Sequence, residues 1–281
     1  MRVATIAGRA TVLTGAGALD VEKASQGRFP AGRGDLFERW EEFRAWADEV
    51  DPSRYGPPAD LTGLGAPSPA PRQVFAIGLN YRDHIAETGQ TPPESPSVFT
   101  KFATSLTGPN TVLVLPAGNV DWEVELVAII GRRAENVAEA DAWNHVAGLT
   151  AGQDYSERVV QTAGSAPQFS LGKSFPGFGP TGPWLVTPDA FADPGDLALE
   201  CTVNGQSVQT SRTSRLIFSV GYLVSYLSAI TALLPGDIIF TGTPAGVGMA
   251  RTPRRYLRPG DQVVSRIEGI GTIRQDVVAA S

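Results

Sequence analysis

A single cysteine, Cys201, excludes an intrachain disulfide framework and any multi-cysteine zinc site. It alternates with apolar neighbours and reads as a strand residue. Histidine is almost as scarce: any imidazole chemistry has to use His84 or His145, and His145 sits between a helical and a strand segment and reads as structural. No apolar run approaches 18 residues, so no membrane span is expected. No basic block stands out against a net charge of −6, which argues against nucleic-acid binding. The start, Met1-Arg2-Val3-Ala4-Thr5-Ile6, is too short and too soon interrupted for a signal peptide, and a cytoplasmic protein is expected. No repeat of fixed period is visible. What is present is 42% hydrophobic residues, enough for a sizeable core, with 31 glycines and 22 prolines among 281 residues. That composition suits many short strands and tight turns more than a helical bundle.

The stretch Asp121-Trp122-Glu123-Val124-Glu125-Leu126, running on through Val127-Ala128-Ile129-Ile130-Gly131, organises the rest. In a strand, residues i and i+2 share a face, so Glu123 and Glu125 project together. Paired carboxylates repel unless a cation lies between them, and a hard divalent ion prefers oxygen ligands. The alternative is an acidic edge strand facing solvent.

In chain order, residues 1–24 read as strands and hairpins, and Asp35 to Asp48 as a helix with Leu36, Trp40, Phe43 and Trp46 on one side. The Pro- and Gly-rich stretch from Asp51 to Pro71 reads as a linker, with a domain boundary near residue 68. A strand at Val74–Gly78 leads to a short helix in which His84 and Glu87, three apart, lie side by side. A carboxylate beside an imidazole orients it and raises its basicity, so the pair suits a general base, or else forms a surface hydrogen bond. Ala134 to Trp143 reads as a helical crossover and Val146 to Gly152 as a strand. Asp154 at that strand's end is placed to be a third carboxylate ligand. A helix starting there would put Arg158 and Gln161 on its face, with Arg158 suited to a substrate carboxylate or to an ion pair. Lys173, in Gly172-Lys173-Ser174-Phe175, suits an anionic ligand or solvent. Leu216 to Leu233 reads as the best amphipathic helix. The Gly-rich turn Thr241–Gly248 lacks a phosphate-loop Lys-Ser/Thr and is rejected as a nucleotide site.

Six motifs then stand in order: Gly78-Leu79-Asn80-Tyr81 with His84 and Glu87, the Asp-x-Glu-x-Glu-Leu at 121–126, Gln153-Asp154 with Arg158 and Gln161, Gly172-Lys173-Ser174-Phe175, Pro235-Gly236-Asp237 and Thr241-Gly242-Thr243-Pro244. From about residue 72 to 275 the chain resembles the fumarylacetoacetate hydrolase family. It looks most like the bacterial branch of acylpyruvate or 2,4-diketo acid hydrolases and 2-hydroxyhepta-2,4-diene-1,7-dioate isomerases. The resemblance implies an α+β, mostly β fold, a fumarylacetoacetase-like mixed β-sheet roll, with a small N-terminal α/β domain over residues 1–68 and a catalytic domain over 69–281. It implies a homodimer acting on a small 2-oxo acid. Glu123, Glu125 and Asp154 would bind Mg²⁺ (or Mn²⁺ or Ca²⁺). His84 with Glu87 would activate water, Lys173, Arg158 and Gln161 would hold substrate oxygens, and Thr243 would line the pocket. The first expectation is hydrolysis of a C–C bond in an acylpyruvate-like 2,4-diketo acid. Decarboxylation or isomerisation of a 2-oxo-dioate uses the same electron sink, and a non-catalytic binding protein is a third reading. Two departures stand out. Pro176 replaces the Asp that commonly follows Gly-Lys-Ser-Phe, which implies a different substrate or slower turnover. Val159-Val160 replaces a more polar stretch, which suggests a drier pocket.

Overall fold

The computed structural model describes residues 1–15, 17–30 and 34–280. The fold is α+β and mostly β, as expected. The larger sheet runs in the order Gly17–Asp20, Arg9–Thr14, Arg2–Ile6, Gly179–Val186, Val146–Gln153, Val124–Ile130, Ile238–Phe240, Val74–Gly78 and Ser97–Thr100. A second sheet orders Gln206–Arg212, Ala198–Val203, Gln262–Ile267, Gly271–Ala279 and Asn110–Leu115.

Val124–Ile130 is buried along its whole length because both of its faces are covered. Val124, Leu126, Ala128 and Ile130 pack into one apolar core with the inner residues of the second sheet. Val127 and Ile129, on the other face, join a second core with Phe37, Trp40 and Phe43. A strand buried on both sides reads as a continuous apolar run, as this one does from Leu126 to Ile130, with Glu125 the one charged residue in it.

The N-terminal segment is tied into the large sheet. Arg2 and Val3 pair with Val186 and Leu185, and Val3, Val12 and Phe43 share a core with Val127 and Phe240. The expected boundary near residue 68 therefore falls between segments that share a sheet and a core.

Four local expectations are corrected. The helix over 35–48 is broken at Arg39 into Gly34–Glu38 and Trp40–Asp48. The crossover from Ala134 is not α-helical. Ala134 N–H and Asn136 N–H donate instead to Leu233 O and Ser228 O, and a 3₁₀ helix follows over Glu139–His145. The helix expected from Leu216 spans only Val220–Ser228. Asn80 takes the residues before it, accepting from Phe218 N and donating to Phe218 O, and Ser219 Oγ caps the first turn at Tyr222 N. Finally, Asp154 does not start a helix. A short strand, Ser156–Glu157, intervenes, and the helix is Arg158–Gln161, capped by the Glu157 carboxylate on Val159 N and Val160 N.

Candidate active site

Strand register assembles the carboxylates. Val124 pairs with Gln153, so Glu123 and Asp154 face each other just beyond the paired ends, and Asp154 N donates to Glu123 O at 2.9 Å. Glu123 lies one residue before the strand, yet Gln153 Oε1 accepts from its N–H at 2.7 Å and keeps it extended. Alternation then sets Glu125 on the same side. Ligand oxygens of Glu123, Glu125 and Asp154 all lie within 4.8 Å of one another, and all three residues are buried.

Cations hold two of the three. Lys173 Nζ lies 2.7 Å from Glu123 Oε2 and 2.6 Å from Asp154 Oδ2. Lys101 Nζ lies 2.6 Å from Asp154 Oδ1. Arg158 Nη1 lies 2.8 Å from Glu123 Oε1. Burial alone would raise Glu123, but Lys173, Arg158 and then His84 overrule it and hold this carboxyl at about 2. Glu125 differs. It is 1% exposed, accepts one hydrogen bond, from Gly242 N at 2.7 Å, and forms no ion pair among the described residues. Burial, then Asp154 and Glu123, push its pKa well above the ordinary range. Asp121, Glu123, Glu125 and Asp154 against Lys101, Lys173 and Arg158 leave one negative charge in excess when all are ionised. An all-oxygen donor set with an uncompensated buried carboxylate fits a hard divalent cation.

His84 lies on the helix Arg82–Thr88, and its Nδ1 is 2.8 Å from Glu87 Oε1. Glu87 Oε2 accepts from Gly246 N at 2.9 Å, so the pair is anchored to the Gly-rich turn rather than free at the surface. That turn also supplies Gly242 N to Glu125, and Gly248 N and Met249 N to Asp121. The segment rejected as a nucleotide loop is thus a set of backbone donors for three site carboxylates. Gly246 has φ +111°, and a Cβ there would meet Val208 O at 2.0 Å, so no side chain is accommodated.

A cavity of about 90 Å³ opens on these groups, lined by His84, Glu123, Glu125, Arg158, Gln161, Lys173 and Thr243, with Ile77, Phe99, Phe169 and Met249 among its apolar walls. Every expected site residue is therefore in this neighbourhood, although their engagements differ. Arg158 Nε and Nη2 are spent on Asp121 Oδ2 at 3.0 and 2.8 Å, and Nη1 also reaches Gln161 Oε1 at 2.9 Å. Arg158 thus ties the floor together and orients Gln161, whose amide nitrogen has no hydrogen bond among the described residues. Thr243 Oγ1 donates to Val124 O and accepts from Gln209 Nε2. Gly172 lets this wall close, because a Cβ there would meet Gln161 N at 2.5 Å.

Neither sequence departure reaches the cavity. Pro176 is exposed and outside its lining. Val159 and Val160, expected to dry the pocket, are 56% and 37% exposed, because the short helix turns Arg158 and Gln161 inward and these two outward. Lys101 and the anchoring role of Asp121 were missed. Lys101 carries no motif of its own, and Asp121 stood at the head of the acidic stretch without a partner in the sequence. His145 is half-buried and away from the cavity, with Nδ1 2.9 Å from Arg133 O.

Residues 73–278 match the family described as fumarylacetoacetate (FAA) hydrolase C-terminal, and the chain belongs to that family. Its members define a class of enzymes built on this sheet roll. Oxaloacetate tautomerase FAHD2A, mitochondrial, from Bos taurus is 43% identical over 224 residues, which are 79% of this chain and 71% of that protein. A Mycobacterium smegmatis protein whose crystal structure carries the provisional name HpcE is 51% identical with a TM-score of 0.96 over 100% of both chains. Maleylpyruvate hydrolase from Sphingobium sp. SYK-6, in a crystal structure with manganese(II) and pyruvate, is 30% identical with a TM-score of 0.83 over 100% of both chains. No helix among the described residues is long and apolar enough to cross a membrane.

Proposed function

We propose that this enzyme is a divalent-cation-dependent tautomerase or isomerase of a small 2-oxo acid of the oxaloacetate type, with Mg²⁺ or Mn²⁺ held by Glu123, Glu125 and Asp154. The observation that carries the reading is that His84, held by Glu87, lines the same small cavity as Glu123 and Glu125, two members of the three-carboxylate set that Asp154 completes. Tautomerisation moves one proton between carbon 3 and the 2-oxygen and needs no nucleophile. When bound, the cation supplies Lewis-acid polarisation of the 2-oxo group and stabilises negative charge on its oxygen.

The chain's own residues do the rest. Glu87 holds Nδ1 of His84, so Nε2 is the nitrogen left to take and return the proton. Gln161, turned by Arg158, presents its amide nitrogen to the substrate carboxylate. Phe99, Phe169 and Ile77 exclude water from the carbanionic carbon. An apolar cavity of about 150 Å³ holds a benzene, so the volume here favours a substrate of a few carbons over a long acyl chain. This shifts preference from C–C hydrolysis to the isomerising alternative, and the tautomerase names of relatives at 42–43% identity support that shift. Hydrolysis stays the second reading because of the resemblance to maleylpyruvate hydrolase. The reading includes a homodimer, for which sedimentation velocity is the check.

The test is the enol absorbance of oxaloacetate with chelator-stripped protein, before and after Mg²⁺ or Mn²⁺. Metal-dependent decay with the four-carbon skeleton intact is expected. Cleavage of an acylpyruvate to pyruvate and a free acid, with oxaloacetate tautomers untouched, would replace the reading with hydrolysis. Release of CO₂ would replace it with decarboxylation.

A further inference from the structure

The chain contains three lysines, Lys23, Lys101 and Lys173, among its 23 basic residues. Arginine carries the remaining positive charge. Two of the three lysines nevertheless sit in the carboxylate cluster, and Lys101 is the more deeply buried, with its side chain wholly out of contact with solvent. Burying an ammonium is costly unless its partners are close and complete. Lys101 meets that condition on two sides. Its Nζ donates to Asp154 Oδ1 at 2.6 Å and also to the backbone carbonyl of Lys173.

These contacts close a ring. Lys101 holds one oxygen of Asp154, and Lys173 holds the other at 2.6 Å. Lys101 also fixes the backbone from which Lys173 reaches back to Asp154 and to Glu123. With a donor on each oxygen, the plane of the Asp154 carboxylate is set. The lysine stem is itself confined. It passes the strand Gly179–Val186 where a Cβ on Gly179 would meet Lys101 Cε at 3.1 Å, and its ammonium lies 5.8 Å from the Phe240 ring centroid.

We propose that Lys101 is a positioning residue of the metal site, setting the orientation of Asp154 and the placement of Lys173 together while touching neither substrate nor cation. This rests on the reading of Glu123, Glu125 and Asp154 as metal ligands and is independent of which reaction follows. Partners that orient metal ligands typically change metal affinity by about 10–100-fold when removed.

The experiment measures Mn²⁺ dissociation constants by the electron paramagnetic resonance signal of free Mn²⁺, without any substrate. Wild type, Lys101→Met and Val12→Ala are compared. Val12 is a buried core residue of the N-terminal hairpin, and its truncation reports what general destabilisation does. The expected result is a Kd raised about 10–100-fold in Lys101→Met and unchanged in Val12→Ala. A Kd within about twofold of wild type in a folded Lys101→Met overturns the proposal, as does an equal loss in Val12→Ala. A wild type that binds no Mn²⁺ refutes the metal reading instead.

If Lys101→Met does not fold, ¹⁵N-lysine-labelled wild type gives the same decision. With only three lysines the ammonium signals are separable, and Mg²⁺ has to shift those of Lys101 and Lys173 while leaving exposed Lys23 unmoved. A Lys101 signal indifferent to saturating Mg²⁺ overturns the proposal.

Discussion

Glu125→Gln has two effects of opposite sign, and their combination is hard to obtain by accident. Glu125 is a buried carboxylate with one hydrogen bond and no ion pair among the described residues. Glutamine has the same shape. Its amide oxygen can accept from Gly242 N, and its amide nitrogen can donate to the neighbouring carboxylates of Asp154 or Glu123, whose oxygens lie within 4.8 Å. An unsatisfied buried polar group costs about 1–3 kcal/mol, and more when charged, so the metal-free variant is stabilised by roughly that amount. At about 2.1 cal/mol/K per residue, a chain of 281 residues has an unfolding entropy of about 0.6 kcal/mol/K. The metal-free variant should therefore melt about 2–5 °C above wild type. The metal effect runs the other way. Wild type at a cation concentration 100 times Kd gains about 2.7 kcal/mol, or about 4–5 °C. The variant, lacking one of three anionic ligands, gains none at that concentration. Calorimetry in chelator and in excess Mn²⁺ reads both numbers. A metal-free Glu125→Gln less stable than wild type, or one that keeps the full metal-dependent gain, would refute the reasoning.

Further outcomes follow from the same geometry. His84→Ala should keep Mn²⁺ affinity and lose about 10²–10⁴ in turnover, read as kcat on the metal-loaded protein; unchanged kcat removes His84 from the chemistry. Arg158→Met leaves Asp121 and Glu123 buried without their shared partner, a loss of about 3–5 kcal/mol and a fall of about 5–8 °C in Tm, so a Tm within about 1 °C of wild type would contradict the assigned network. The Cys201 thiol is fully buried, and burial pushes its pKa up to about 12, so a thiol reagent at pH 8 should label it only after denaturation. Labelling of the native protein at the rate of the unfolded chain would contradict that burial.

Much of the site was legible because its first elements are local. Glu123 and Glu125 are separated by the strand period, and His84 and Glu87 by one helical turn, so short-range geometry pairs them before any tertiary contact is known. The helix expected from Leu216 failed for the complementary reason. Its apolar periodicity was real, but Asn80, far away in sequence, takes the backbone groups of Phe218 and shortens the helix. Val159 and Val160 were expected inside because nothing local fixes the phase of a four-residue helix.

The sequence by itself determined the acidic pair, the imidazole–carboxylate pair and, through six ordered motifs, the family. Local periodicity and motif order survive without coordinates. Only the tertiary structure decided that Lys101 lies behind Asp154, that Arg158 is spent on Asp121 and Glu123, and that the turn Gly242–Gly248 donates its amides to Glu125, Glu87 and Asp121. Those partners lie 35 or more residues apart. Their meeting is fixed by strand register and by the need of each buried charge for a counter-charge or a donor, which no single segment of the chain contains.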